Sequence, residues 1–256
     1  MEQTCHDEIN GQIAINTKAY LCSRDHRITF YDVDFNKRLR LSDMMRLFSL
    51  MAGEDYYTRG LGHVFLKEKG FAFLVSKIAY KIYRLPTLEE EVILHTWVEG
   101  INGAKFIRGY EMTSRDGKCL VIGEAVWICV DPDTKKIVRP RDFPWCGEEM
   151  PRADMPVHYR SIDIPPLEPI GDFVVPYHAI DYNGHLNNTD YGDVIMDALP
   201  ANELGRDIDE FTLCYQHEAY MGETVDLFRG DPNEKTTVIV GRVGERKCFE
   251  SEIIYK

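Results

Sequence analysis

Hydrophobic positions in the first half of the chain follow a helical period and then a strand period. One apolar face belongs to a segment that starts after Ser42, a suitable helix N-cap, and ends before Gly60. The face consists of Met44, Met45, Phe48, Met51 and Ala52. The strand-like runs around this predicted helix are 27–33, 71–83, 92–98, 105–113 and 120–130. One helix followed by antiparallel strands with short turns predicts an α+β unit, in which the sheet curls around the helix.

The second half repeats this pattern after a proline-rich segment. Residues 140–169 contain seven of the twelve prolines, which fix φ and remove backbone donors, so we expect a linker there. An offset of 147 places Asp34 opposite Asp181, and the order strand, loop, helix, strands recurs at this spacing. The predicted organisation is an N-terminal unit at 1–139, a linker at 140–170 and a C-terminal unit at 171–256.

The loop 181–188 has the densest group of chemically active side chains. Its candidate residues are Asp181, Asn183, Gly184, His185, Asn187 and Asn188. A turn alone needs few of these polar groups, so their number indicates a function. Asn187 or Asn188 would cap the helical pattern that follows, and free amides at that helix start would favour developing negative charge. The loop therefore predicts an oxyanion site with a base nearby.

The two copies differ where the chemistry would lie. Opposite Gly184 and His185 the first copy has Lys37 and Arg38, and a purely structural turn has no reason to differ in this way. Downstream, Glu218 lies in an apolar run, 211–220, that we predict to be a strand. Burying an unpaired carboxylate is costly. Glu218 therefore either faces solvent or meets a polar partner such as the loop 181–188.

Charge and cysteine content exclude several classes of protein. A net charge of −12 and a pI near 5.2 argue against a nucleic-acid binder. The seven cysteines are odd in number and include no Cys-x-x-Cys pair, so neither a disulfide framework nor a zinc site is predicted. The start of the chain is polar and acidic, and every apolar run is too short to cross a bilayer. We expect a cytoplasmic protein without membrane insertion.

The loop and the helix start match a known motif. The pattern Asp-x-x-Gly-His-x-Asn-Asn-x-x-Tyr, from Asp181 to Tyr191, resembles that of the hotdog-fold thioesterases. Two copies with the full motif in the second alone, and Tyr-x-x-Glu downstream, resemble the acyl-acyl-carrier-protein thioesterases of plants and bacteria. The resemblance covers most of the chain, including the linker, Trp97 and Trp127. It implies an α+β fold of two tandem hotdog units, each an antiparallel β-sheet wrapped around one long helix.

The resemblance also implies a reaction. The family hydrolyses the thioester between a fatty acyl chain and the phosphopantetheine arm of acyl carrier protein (ACP), which ends chain elongation, with neither cofactor nor metal. The residues that the motif carries over as catalytic are Asp181, Asn183, His185 and Glu218. Plant members usually have Cys directly after this Glu, whereas this chain has Ala219, so a thiolate mechanism is not expected at that position. Either carboxylate could activate water or attack directly, while His185 carries a proton and Asn183 orients the water.

We predict that the acyl chain lies in an apolar channel of the first unit. The expected substrate-binding residues are Met44, Met45, Phe48, Met51, Phe71 and Phe73 in the channel, with Gly184, Asn187 and Asn188 in the loop. Because ACP and this chain are both acidic, docking needs a local basic patch. The candidates are Lys37, Arg38, Arg40 and Arg46, with a second group at Lys135, Lys136, Arg139 and Arg141. The expected partner is acyl-ACP and not nucleic acid; a homodimer is left open.

Three other functions stay open at this point. An acyl-CoA thioesterase would act on the same pantetheine arm. A hotdog enoyl-thioester hydratase would use a related Asp-x-Asn loop, but the Asn-Asn pair after His185 and the lack of proline favour hydrolysis. A non-catalytic acyl-thioester sensor would be expected to lose the polar loop and to gain a basic appendage, and the sequence has neither feature.

Overall fold

The computed structural model describes residues 8–9, 12–13, 18 and 21–256 of the chain. In chain order the strands are β1 (Glu8–Ile9), β2 (Gln12–Ile13), β3 (Cys22–Arg27), β4 (Ala72–Ile82), β5 (Glu91–Asn102), β6 (Lys105–Ser114), β7 (Cys119–Val130), β8 (Glu168–Val174), β9 (Ile208–Tyr215), β10 (Thr224–Asn233), β11 (Thr236–Val243) and β12 (Arg246–Tyr255). The helices are α1 (Leu41–Thr58), α2 (His63–Glu68) and α3 (Tyr191–Asp197), with 3-10 turns at Pro140–Asp142 and Tyr177–Ala179. Within the described residues no helix is both long and apolar enough to cross a membrane.

Ten of the described strands form one antiparallel sheet. Their order is β3-β5-β6-β7-β4-β9-β12-β11-β10-β8, while β1 and β2 pair with each other. From the outer edge to the centre, the first half has the order β3-β5-β6-β7-β4 and the second half has β8-β10-β11-β12-β9. In both halves, the second strand in chain order therefore lies at the centre of the sheet. The halves meet where β4 pairs with β9, with Tyr80 opposite Phe211 and both side chains buried. This central pairing makes the two halves one continuous sheet.

The 18-residue α1 buries the apolar face that its sequence predicts. Met44, Phe48 and Met51 are each at most 1% exposed. The ring of Phe48 packs against Tyr80 and Tyr110, with centroids 5.4 and 5.1 Å away. Full burial of one such side chain contributes about 1.5–3 kcal/mol. Packing on the sheet therefore stabilises the helix more than its end residues do.

The second half has a much shorter helix than expected. α3 has seven residues, so the prediction of a long helix in each copy is not met there. The short helix packs on the start of α1, where Ser42 Oγ donates to Asp193 Oδ1 at 2.5 Å. A Cβ on Gly192 would lie 2.9 Å from the Cα of Ser42, so this contact requires glycine. Ser42 thus joins the two helices and is not the N-cap, a position held by Arg40 without a side-chain capping bond.

The strand predicted at 27–33 lies earlier in the chain. β3 ends at Arg27, and the next residues form a turn. Asp32 Oδ2 closes this turn by accepting from the N–H and the hydroxyl of Thr29, both at 2.7 Å. Side chains that bond to nearby backbone in this way compete with strand pairing.

The strand predicted at 211–220 ends early, at Tyr215. The backbone N–H groups of Gln216 and His217 both donate to the carbonyl of Cys248, at 2.9 and 3.3 Å. Two donors on one acceptor break the regular ladder and bend the chain. Glu218 is therefore beyond the strand and not within it, which corrects the prediction.

The proline-rich segment has neither helix nor strand from residue 143 to residue 167. It is nevertheless anchored to both halves of the sheet. The backbone N–H of Tyr159 donates to buried Glu124 of β7 at 2.7 Å, and Arg160 forms an ion pair with Glu252 of β12 at 2.7 Å. The segment therefore runs as a strap along the sheet.

Candidate active site

Loop 181–188 is a tight turn around the carboxylate of Asp181. Oδ1 accepts from the backbone N–H groups of Asn183 at 2.8 Å and His185 at 3.4 Å, and Oδ2 accepts from Asn183 Nδ2 at 3.1 Å. Gly184 has φ +89°, a conformation that residues with a Cβ rarely adopt. The Asp181 N–H closes the turn by donating to the His185 carbonyl at 2.9 Å. These bonds fix Asp181, Asn183 and His185 relative to one another.

The imidazole of His185 lies beside the carboxylate of Asp181. Nδ1 is 3.8 Å from Oδ1, and the two side chains are only 15% and 13% exposed. This separation is too long for a direct hydrogen bond but allows an ion pair when the ring is protonated. Asp181 can therefore stabilise an imidazolium at His185 during proton transfer.

Backbone pairing brings Glu218 to the same loop. His185 and Tyr220 form an antiparallel bridge, and the Leu186 N–H donates to the Ala219 carbonyl at 2.8 Å. Side chains alternate along an extended segment, so Glu218 lies on the same face as Tyr220. Paired residues in a bridge also share a face, so His185 lies on that face as well. Burial raises the pKa of the Tyr191 phenol most, and the nearby Glu218 carboxylate adds to that rise. Glu218 is thus a partly buried carboxylate next to the motif.

Neither Asn187 nor Asn188 caps the helix as predicted. The N-cap of α3 is Asp190, without a side-chain capping bond. Asn187 Oδ1 instead accepts from the N–H and the hydroxyl of Thr189, at 3.0 and 2.9 Å. The Asn188 carbonyl accepts from the hydroxyl of Tyr215 at 2.7 Å, which ties the loop to β9. Both asparagines therefore belong to the loop and not to the helix end.

The corresponding loop of the first copy has the same backbone turn without the candidate catalytic side chains. Asp34 Oδ1 accepts from the N–H groups of Asn36 at 2.8 Å and Arg38 at 2.9 Å. Lys37 has φ +60° at the position that corresponds to Gly184. Where the second copy has an imidazole, the first has the Arg38 guanidinium, which contacts Asp207 at 3.1 Å in the segment between α3 and β9. The turn is therefore common to both copies, and the chemistry is not.

A cleft of about 360 Å³ opens at loop 181–188 and extends into the first half of the molecule. The loop residues that line it are Asp181, Tyr182, Asn183, Asn187 and Asn188. Most of the remaining wall is apolar and includes Ala52, Leu61, Phe71, Phe73, Ile101 and Phe106. His185 and Glu218 do not line this cleft. A polar loop at the edge of an apolar cleft suits a molecule with a reactive polar group and a greasy tail.

The methionine face of α1 does not form the channel wall that we predicted. Met44, Met45, Phe48 and Met51 are in the main hydrophobic core, at most 3% exposed. The same helix turns its neighbouring face, with Ser49, Gly53 and Tyr56, to the cleft, and Ala52 lies at the border of the two faces. The pattern of apolar residues correctly marked buried positions, but it could not distinguish burial in the core from burial against a ligand. Phe71 and Phe73 do line the cleft.

Several cleft residues were not singled out in the sequence. Tyr182, inside the motif, is hydrogen-bonded through its hydroxyl to the imidazole of His63 at the start of α2. Arg108 lies within β6. The sequence signal that could have identified it is a charged residue in the middle of a strand. Its Nη1 is 2.7 Å from Asp55 Oδ2, and Asp55 Oδ1 is 2.9 Å from Nε of Arg59, all three side chains being almost fully buried. The i,i+4 spacing of Asp55 and Arg59 on α1 predicts their contact, but no sequence spacing indicates that Arg108 joins them.

The predicted basic patch is largely neutralised within the chain. Arg38 contacts Asp207 at 3.1 Å, Arg40 contacts Asp43 at 2.6 Å, and Arg46 shares the same Asp43. Paired carboxylates weaken the positive field that these guanidiniums would show to an acidic partner. The residues of the second basic group, all exposed, are Lys135, Lys136, Arg139 and Arg141.

The sequence matches two models of one protein family. Residues 19–142 match the acyl-ACP thioesterase N-terminal domain, and residues 168–244 match the acyl-ACP thioesterase C-terminal domain. No curated protein sequence matches the chain.

The solved structures with a similar fold include three thioesterases from different organisms. An acyl-ACP thioesterase from Bacteroides thetaiotaomicron aligns with a TM-score of 0.81 and 22% identity, over 92% of this chain and 98% of that one. A protein described as an oleoyl thioesterase from Lactobacillus plantarum aligns with a TM-score of 0.80 and 25% identity, over 93% of this chain and 96% of that one. The 12:0-ACP thioesterase from Umbellularia californica aligns with a TM-score of 0.78 and 12% identity, over 92% of this chain and 94% of that one. The described sheet and helices therefore have the hotdog-type fold of these proteins.

Proposed function

We propose how four residues catalyse the reaction of this protein, from the premise that the chain belongs to the acyl-ACP thioesterase family. It is an acyl-ACP thioester hydrolase, which releases a fatty acid from the carrier. The proposed catalytic residues are Asp181, Asn183, His185 and Glu218. One observation carries the proposal: the loop with Asp181 and Asn183 opens onto an apolar cleft that can take an acyl chain.

Thioester hydrolysis requires attack on the carbonyl carbon and protonation of the departing thiolate. We assign the attack to water or to a carboxylate, with Asp181 and Glu218 as the two candidates. His185 carries the proton, because an imidazole nitrogen can accept and release a proton and this ring lies at ion-pair distance from Asp181. Asn183 holds the Asp181 carboxylate through Nδ2, which supports its role in orientation.

The oxyanion that forms at the carbonyl needs N–H donors. Two backbone amides around Gly184 are already used: Asn183 N–H donates to Asp181 Oδ1, and Gly184 N–H donates to the Asp181 carbonyl at 3.0 Å. We therefore propose Asn187 Nδ2 as a donor. Its Oδ1 is held by Thr189, which fixes the plane of the carboxamide beside the cleft. One such donor is typically worth ~10²–10³ in rate.

The nucleophile can be identified by a single turnover in ¹⁸O-labelled water with excess enzyme. Direct attack by water places ¹⁸O in all of the first fatty acid released. Attack by Asp181 or Glu218 forms an acyl-carboxyl anhydride, and its hydrolysis at the protein carboxyl leaves ¹⁸O in the protein instead. Peptide mass spectrometry then assigns the labelled carboxylate.

The decisive test of the function is thiol release from matched ACP and CoA thioesters of several chain lengths. We expect hydrolysis of acyl-ACP with a higher kcat/KM than that of the matched acyl-CoA. Equal or higher values for CoA would favour the acyl-CoA thioesterase alternative. Loss of an enoyl double bond without thiol release would favour the hydratase, and binding without turnover would favour a sensor.

We also propose that the chain consists of two tandem hotdog units, at 1–139 and 171–256, joined by the linker 140–170. The matching strand orders of the two halves support this division. The paired turns at Asp34 and Asp181 support it as well, since both carboxylates accept from the second and the fourth following N–H group.

Three further features are proposals about the setting of the enzyme. The exposed basic residues near Arg139 are the better candidates for ACP docking, because they are less paired than those near Arg40. A reducing, cytoplasmic location is supported by free thiols at the six described cysteines. A homodimer is the remaining proposal, and light scattering of the purified protein tests it.

A further inference from the structure

A buried ion pair lies between the apolar cleft and the main hydrophobic core. It joins Asp55 of α1 to Arg108 of β6, with Oδ2 2.7 Å from Nη1 and both side chains at most 5% exposed. On the same face of β6, two residues before Arg108, Phe106 packs in the apolar cluster of the cleft wall. Two residues after Arg108, Tyr110 packs in the main core. Arg108 therefore separates two apolar regions of one strand.

The helix α1 is divided in the same way. Met51 and Ala52 pack in the main core, whereas Tyr56 packs with the cluster of the cleft wall. Asp55 lies one helical turn after Met51 and next to Tyr56, at the border of the two regions. Because Asp55 comes from the helix and Arg108 from the sheet, their ion pair spans the space between these layers. We call this pair the partition.

Further bonds fix the partition on each side. Arg108 Nη1 donates to Thr96 Oγ1 at 3.3 Å, and the hydroxyl of Tyr56 is hydrogen-bonded to the guanidinium. Asp55 Oδ1 is 2.9 Å from Nε of Arg59. Separating a buried ion pair costs a factor of at least about 10² in an equilibrium constant, whereas one more buried methylene gains only about fourfold. One or two additional carbons of an acyl chain are therefore too few to displace the partition.

The partition lies across the cleft from loop 181–188. The Asn188 carbonyl ties this loop to Tyr215 of β9, and in the sheet β9 is followed by β4, β7 and β6. Three strand spacings place β6 about 14 Å from β9. Arg108 and Tyr56 both line the cleft. An acyl chain whose thioester lies at the loop therefore extends with its methyl end toward the partition.

We propose that Asp55 and Arg108 limit the length of the acyl chain that the enzyme hydrolyses, because they close the cleft toward the main core. The inference rests on the proposed function, since the acyl chain must occupy this cleft. A methyl group offers no hydrogen bond to a guanidinium that has left its carboxylate, so a longer chain gains nothing by breaking the pair. The apolar side chains beyond the partition, such as Phe48 and Met51, stay closed to the substrate.

The test measures kcat/KM for saturated acyl-ACP thioesters that differ by two carbons. Arg108→Ala removes the side chain that closes the cleft and leaves Asp55 paired with Arg59. The quantity compared is the kcat/KM of the chain two carbons longer than the best substrate, divided by that of the best substrate. We expect this ratio to rise about tenfold, because each methylene that becomes buried contributes about fourfold. Arg108→Lys keeps a cation beside Asp55 and should keep the original ratio.

The matched control is Met112→Ala. Met112 lies on the same face of β6 as Arg108 but is fully buried in the main core. This substitution should weaken folding without changing the chain-length ratio, because the cavity that it leaves does not join the cleft. A ratio that is unchanged in Arg108→Ala, or that rises equally in Met112→Ala, would overturn the inference.

A crystal structure of the unchanged protein with a bound saturated fatty acid tests the same point without a substitution, and it decides if Arg108→Ala does not fold. The alkyl chain is expected to end on the cleft side of an intact Asp55–Arg108 pair. A chain that passes between the two side chains or contacts Phe48, or a cleft without fatty acid, contradicts the inference. If no acyl-ACP is hydrolysed at all, the proposed function fails instead, while the fatty-acid complex still tests the partition.

Discussion

The hydroxyl of Tyr182 is hydrogen-bonded to the imidazole of His63, which joins loop 181–188 to α2 across the cleft. The two rings also meet edge to face, with centroids 4.7 Å apart. Tyr182 lies between Asp181 and Asn183, so this contact holds both polar side chains at the cleft. The equivalent position in the first copy is Phe35, which has no hydroxyl and is exposed.

Tyr182→Phe should lower kcat by about fivefold with a smaller change in KM, because one neutral hydrogen bond that positions the loop is lost. Steady-state kinetics with one acyl-ACP measures this split. Tyr177→Phe is the matched control, since Tyr177 is exposed on the same segment and does not line the cleft. An equal effect of the two substitutions would contradict a positioning role for Tyr182.

His63 should make folding stability depend on pH. Burial lowers its pKa most, Lys67 lowers it further, and Asp181 opposes the shift. The unfolded chain therefore binds a proton at His63 more tightly than the folded chain does. The contribution of neutral His63 to folding stability is present above the ordinary pKa near 6.5 and is lost as the pH falls below that value. Urea unfolding at about pH 7.5 and about pH 5.5 should therefore show a smaller loss for His63→Gln than for the unchanged protein.

The control for this experiment is His178→Gln, which removes an exposed histidine near the same loop. It should keep the pH dependence of the unchanged protein. Identical pH dependence in His63→Gln and the unchanged protein would exclude His63 as the source.

His185→Ala and Glu218→Ala should each lower kcat by a factor of about 10²–10⁴ while the protein stays folded, because each removes a proposed acid–base or nucleophilic group. Circular dichroism and thermal unfolding monitor the fold, and thiol release measures the rate. His217→Ala, which changes the exposed neighbour of Glu218, should leave turnover near its original value. Near-normal turnover in either catalytic variant would remove that residue from the mechanism.

Gly184→Ala should destabilise the protein by about 1–2 kcal/mol, since φ is +89° and a Cβ disfavours left-handed backbone. There is open space around a Cβ at this position, so the cost comes from the backbone and not from a clash. Lys37→Gly at the equivalent turn should be close to neutral or slightly stabilising. Urea unfolding compares the two, and equal effects in both turns would contradict the backbone explanation.

Gly53→Leu should shift the enzyme to shorter acyl chains. Gly53 lines the cleft, and a Cβ there meets nothing within 4 Å, so the new side chain fills ligand space. Each displaced methylene of the substrate should cost about 0.8 kcal/mol, about fourfold in kcat/KM. Profiles of kcat/KM against chain length measure the shift.

Met45→Trp is the contrasting variant, because Met45 is 3% exposed in the core. Overpacking there should cost about 1–3 kcal/mol of stability and leave the chain-length profile unchanged. The opposite pattern, with a changed profile in Met45→Trp alone, would restore the methionine face as the channel wall.

The elements that the sequence predicted well are those with strong local patterns. α1 was expected from its apolar face, and the strands β4 to β7 from alternating and β-branched runs. The errors occurred where side chains bond to nearby backbone, as at Asp32, or where two donors share one carbonyl, as at Cys248. Neither event changes the hydrophobic pattern, so periodicity could not reveal it.

The sequence by itself determined the geometry of the turn from Asp181 to His185, because this turn is closed by bonds between residues at most four positions apart. Only the tertiary structure decided which distant groups meet that loop. Glu218 reaches it through the pairing of Tyr220 with His185, and His63 reaches it through the packing of α2. The cleft exists because β4 pairs with β9 and sets the first-half wall beside the second-half loop. Such contacts depend on the register of strands far apart in the chain, which no local pattern encodes.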